Sequence, residues 1–137
     1  MHNEYILYAS KLDKIGDLIN SISNLIPVLN TDKNYTISEL ATYKEQLNVG
    51  TERYQFILNE LRNLDVPDII NIEHGNLTQG VRSFVRGVTL MKDSIDIEER
   101  KLLVEQLVQG DSIRMITVKD VEKATKEIGD KLVGLLT

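Results

Sequence analysis

Apolar residues recur along this chain at steps of three and four, the period of an amphipathic α-helix, in blocks separated by turn-forming residues. The first block carries Tyr5, Tyr8, Leu12, Ile15, Ile19, Ile22, Ile26 and Leu29 and predicts a helix over 3–29. Pro27 lies in its last turn, where it is placed to end or kink the helix early. Asn30-Thr31-Asp32-Lys33-Asn34 then breaks the pattern with residues that favour turns.

The second block opens on Thr36-Ile37-Ser38-Glu39, a capping box in which the Thr hydroxyl and the Glu carboxylate each satisfy a free backbone N–H. Its stripe is Ile37, Leu40, Tyr43, Leu47, Tyr54, Ile57, Leu61 and Leu64, with Gly50 in the gap, a sign of close helix contact or a local irregularity. Asp65-Val66-Pro67-Asp68 closes this helix and opens the next, proline being well tolerated in a first helical turn. The third helix, over 68–95, carries Ile70, His74, Leu77, Val81, Phe84, Val88, Met91 and Ile95 on one face. A histidine thus takes a core place.

A fourth helix is expected from Asp96-Ile97-Glu98-Glu99, where an acidic first turn suits the helix dipole. Its first half shows Leu103, Val104, Leu107 and Val108, and its second half Val118, Val121, Thr125, Ile128, Leu132 and Leu135. Gly110-Asp111-Ser112 puts polar residues where the stripe should continue, so a kink or short loop is expected there, with Thr117 capping a resumed helix. Each of the first three helices spans about 27 residues, roughly 40 Å at 1.5 Å per residue. Short connections make neighbours antiparallel. The predicted fold is all-α: an antiparallel up-down four-helix bundle over 1–137 as a single domain, with the last helix kinked or split near Gly110-Ser112.

Composition narrows the function classes. With 137 residues, 42% hydrophobic and 27% charged, the chain can bury a substantial core. Its net charge of −5 argues against a protein that grips nucleic acid through phosphate contacts. Without cysteine, disulfide and thiolate chemistry are excluded and a metal would have to sit on His, Asp or Glu. No run of eighteen apolar residues exists, so no transmembrane segment is expected. The N-terminus lacks a basic region followed by a long apolar run. The expected location is therefore cytoplasmic, or exported if a targeting segment has been removed.

His74 is the candidate for chemistry, as a buried acid–base group, a metal ligand or a pH-sensitive contact. The plainer alternative is a core histidine hydrogen-bonded to a neighbouring helix; as a replaceable core residue it predicts that His74→Leu leaves stability unchanged or higher. Catalysis needs a second group, and adjacent Glu73 points about 100° away on a regular helix. The only histidines are His2 and His74, and Asn71 stands three before His74, so the paired Glu-x-x-His of di-iron bundles is absent. No metal, cofactor or catalytic constellation is predicted. Gly80 and Gly87 share a helical face, and each costs about 1 kcal/mol relative to alanine in a helix. They indicate close approach of a neighbouring backbone; the alternative is a shallow groove in which His74, Gly80, Phe84 and Gly87 contact a ligand or partner. Arg82 with Arg86, and the pairs Glu122–Lys126 and Glu127–Lys131, fit solvated helix faces. The tyrosines on the stripes are expected in the core with their hydroxyls at its edge.

The stretch Val66-Pro67, His74, Leu77, Phe84, Gly87, Leu90-Met91 and Ser94-Ile95 resembles a pattern in small helical-bundle proteins, some of them lipoprotein-like, of low-GC Gram-positive bacteria and their phages. That resemblance implies a helical bundle and a bacterial source, and no activity; this chain has no lipobox cysteine. The functional expectation is a non-enzymatic helical interaction module that binds a protein or a second copy of itself. Alternatives are an immunity-type antagonist of a toxin or bacteriocin, by analogy of fold, and a ligand-binding bundle centred on His74.

Overall fold

The computed structural model describes residues 2–136, with side chains for 3–135. Four helices make up nearly all of it: α1 (His2–Ser23), α2 (Ile37–Arg62), α3 (Asn71–Asp93) and α4 (Val104–Leu136). A 3₁₀ turn (Asp68–Ile70) precedes α3, and a small antiparallel hairpin of β1 (Ile95–Asp96) and β2 (Lys101–Leu102) links α3 to α4. The fold is an all-α four-helix bundle. Its neighbours run antiparallel: Ile26 of the first segment meets Gly50 of α2, Tyr54 of α2 stacks on Phe84 of α3, and Gly80 and Gly87 of α3 meet Val121 and Gly110 of α4.

Local chemistry explains the ends of the elements. Thr36 Oγ1 accepts from the Glu39 amide at 3.1 Å, and Glu39 accepts from the Thr36 amide at 3.0 Å, so the predicted capping box forms. That backbone hydrogen bond holds the Glu39 carboxyl below the usual range. α1 stops at Ser23 rather than reaching 29, and its chain leaves through a turn in which the Leu25 amide bonds the Ile22 carbonyl. Pro27, just beyond, cannot supply a helical N–H. Tyr35 pins the following loop by accepting from the Asn30 amide and packing edge-on against Tyr43.

The α3–α4 connection departs from expectation. Asp96-Ile97-Glu98-Glu99 does not begin a helix. Ile95 is fully buried, and its carbonyl accepts from Lys44 of α2 at 2.6 Å. Asp96 Oδ1 accepts from the Glu99 amide, and Arg100 adopts a left-handed φ of 54°, which reverses the chain. An aspartate whose carboxylate bonds an amide a few residues on serves a tight turn as well as a helix start. α4 then runs unbroken for 33 residues, about 50 Å, so the kink or split expected near Gly110-Ser112 does not occur.

The reason is packing. A Cβ on Gly110 would lie 2.6 Å from the Gly87 carbonyl oxygen, and one on Gly87 would lie 2.9 Å from the Gly110 carbonyl oxygen. Gly110 is thus a crossing point of two backbones, not a helix break. Asp111 fits on the helix by pairing with Arg114 at 2.9 Å. Thr117 caps nothing; its buried hydroxyl donates to the Ile113 carbonyl one turn back.

Candidate functional site

His74 sits in the first turn of α3, where the end of α2 and the start of α1 converge. Its Nε2 lies 2.9 Å from the Leu61 carbonyl oxygen in the last turn of α2, and its Nδ1 lies 2.7 Å from the Tyr8 hydroxyl of α1. A carbonyl only accepts, so Nε2 carries the proton, Nδ1 is bare, and the Tyr8 hydroxyl donates to it. The ring therefore gives a close donor to a carbonyl in the last turn of α2, which otherwise takes a longer bond of 3.4 Å from the Leu64 amide. Burial holds His74 below its ordinary pKa, partly opposed by the Leu61 carbonyl, and burial pushes the Tyr8 phenol well up. Both groups are neutral at physiological pH.

Both ring nitrogens are thus hydrogen-bonded within the protein, at a residue only 7% exposed. Against the neutral His74→Leu swap that the stripe suggested, the geometry gives a reason to expect a cost, because the swap leaves the buried Tyr8 hydroxyl without its acceptor. That hydroxyl is buried, not at the core edge, and so is the Tyr54 hydroxyl, 2.8 Å from Ser23 Oγ. Beside the histidine, Glu73 Oε1 binds Lys131 of α4 at 2.5 Å, and Lys131 also reaches the Ile69 carbonyl. The ammonium holds the Glu73 carboxyl below its usual value. Lys131 thus serves Glu73 across the bundle, not Glu127 on its own helix.

The other predicted contact residues do not gather around His74. Phe84 is buried and lies parallel to Tyr54, ring centroids 5.0 Å apart. Gly87 is closed by Gly110, whereas Gly80 lies under Val121 and lines a polar groove of about 300 Å³ with Asn76, Gln79, Ser83, Asp120 and Lys123. Among the described residues no cluster of three or more His, Asp or Glu could hold a metal, and no helix is long and apolar enough to cross a membrane.

An apolar groove lies elsewhere, between α1 and α2. Leu18, Ile22, Phe56 and Ile57 line it, with Glu52 and Arg53 alongside, around a volume of about 310 Å³. Phe56 is 55% exposed there and Leu18 43%. Neither belongs to the stripe of its helix, and an aromatic residue off the stripe was the available signal in sequence. Neither a family model, a curated protein nor a solved structure matches this chain. The geometry must carry the functional reading by itself. An apolar groove with a charge of each sign beside it can take apolar side chains of a second polypeptide and orient them by hydrogen bonds.

Proposed function

We propose that this protein is a non-enzymatic helical binding module whose α1–α2 groove receives an apolar segment of a protein partner. The observation that carries the reading is the exposed Phe56 beside Leu18 in a groove lined almost entirely by carbon. Large exposed aromatic anchors of this kind dominate protein interfaces, and a helix or extended peptide fits a groove between two helices. Engagement of both His74 nitrogens supports a structural role for that residue rather than a catalytic one.

The test is photo-crosslinking in cells with a reactive amino acid at position 56, followed by capture with charge variants. Phe56→Glu is expected to lose the crosslinked partner, while Met115→Glu, an equally exposed apolar position on α4, keeps it. Retention of the partner by Phe56→Glu, or its loss in Met115→Glu, would contradict the proposal. A captured toxin, with protection of the cell that depends on Phe56, would specify the module as an immunity-type antagonist.

A further inference from the structure

The two halves of α1 are held differently. From Ile15 onward, Ile15, Ile19 and Ile22 lie in the core, as does Ile26 just past the helix end, and Ser23 Oγ hydrogen-bonds the Tyr54 hydroxyl. Over 3–14, Tyr8 is the only buried side chain, and Tyr5, Ala9 and Leu12 are half-buried. The docking of this first half therefore depends heavily on the place where Tyr8 meets His74.

That junction works in one protonation state. With Nε2 committed to the Leu61 carbonyl, a further proton can enter the ring only at Nδ1, where the Tyr8 hydroxyl already donates. The hydroxyl would have to turn its hydrogen away to accept instead, at a residue only 1% exposed. A charged ring would also sit among apolar neighbours, which is costly without a counter-charge. Among the described residues none forms an ion pair with the ring. α1 presents Tyr8 and α2 the Leu61 carbonyl, while Glu73 of α3 holds Lys131 of α4 through Oε1 and keeps Oε2 buried without a hydrogen-bond partner.

We infer that His74 is an acid-sensitive latch: a proton taken from solvent onto Nδ1 removes the acceptor for Tyr8 and frees the N-terminal half of α1 from the bundle. The Ser23–Tyr54 end of α1 and the α3–α4 seam stay closed, and release uncovers the flank of α4 at Leu132, which shares a groove with Ala9 and Leu12. With an ordinary histidine pKa of 6.5 in the released form, acidification to pH 5 favours release by a factor of at most about 30.

Hydrogen exchange of the full chain, read by mass spectrometry at pH 7.5 and 5.0 and corrected for intrinsic rates, tests this directly. Peptides from 3–14 are expected to lose protection about tenfold or more at pH 5, while peptides around Gly87 and Gly110 do not change. His74→Gln, which can donate to Leu61 and accept from Tyr8 without titrating, should abolish the pH response. An independent readout is the nitrogen NMR of the His74 ring in the wild-type chain, which should show a proton on Nε2 and none on Nδ1 at pH 7.5. A uniform loss of protection over all helices, the same pH response in a folded His74→Gln, or a proton on Nδ1 at pH 7.5 would overturn the inference.

Discussion

The two sides of this bundle are built on opposite principles. Along the α3–α4 seam, Gly87 and Gly110 let two backbones touch, and Gln106 of α4 reaches the Leu90 carbonyl of α3 at 3.1 Å. Around α1, contact is made by the tips of Tyr8 and a row of isoleucines, and grooves open along both flanks. In the groove toward α4, a Cβ on Gly16 or Gly129 would meet nothing within 4 Å. A seam of backbone contact cannot yield without clashes or voids, whereas a helix held by side-chain tips can shift by changing rotamers. Stability is thereby concentrated on one side and adaptability on the other, the side that carries the proposed binding groove.

Glycine substitutions break or sharpen that contrast most strongly. Gly110→Ala drives a methyl into the Gly87 carbonyl and the Met91 amide, and the expected loss is about 3 kcal/mol in urea unfolding despite alanine's better helix propensity. His74→Leu should cost about 2 kcal/mol by stranding the Tyr8 hydroxyl, and Tyr8→Phe about 1 kcal/mol less than that. Acid gives a smaller, graded effect. The His74 pKa in the folded chain lies below its unfolded value of 6.5, so stability is full above that pH and declines as pH falls beneath it. Urea midpoints measured from pH 7.5 to 5.5 should fall for the wild type and flatten for His74→Gln. At the small end, Gly16→Ala on α1 is expected to stabilise by about 0.5–1 kcal/mol, since the site is open and the unfolded chain becomes stiffer. A Gly16→Ala variant as damaging as Gly110→Ala would erase the distinction between the two sides.

Much of this fold was legible in sequence because it rests on local periodicity. Most of the stripes through Ile15, Leu47, Val81 and Ile128 lie in the core, and the Thr36–Glu39 box caps α2. Ile37, Leu103, Val104, Val108 and Thr125 are exposed, however, and Ala124 takes the core place beside Thr125. The hairpin between α3 and α4 was hidden because Arg100, at its left-handed position, is neither Gly nor Asn, and because an acidic run also suits a helix start. Gly110 misled for a different reason: a glycine followed by Asp and Ser looks like a break, and only the approach of Gly87 from another helix makes it a contact. The His74 site was half legible. Its core position followed from spacing, but Tyr8 lies 66 residues away and a backbone carbonyl partner leaves no trace in sequence. The α1–α2 groove needed the pairing of two helices before Leu18 and Phe56 could be seen to share one surface.

Native-state hydrogen exchange across a urea series at pH 7.5 tests the division between the two sides most directly. Amides of α3 and α4 flanking Gly87 and Gly110 are expected to exchange only through global unfolding, with the full denaturant dependence. Amides of α1 are expected to open at a free energy several kcal/mol lower and with a shallower dependence. Exchange of α1 at the same free energy and slope as the α3–α4 seam would contradict the account.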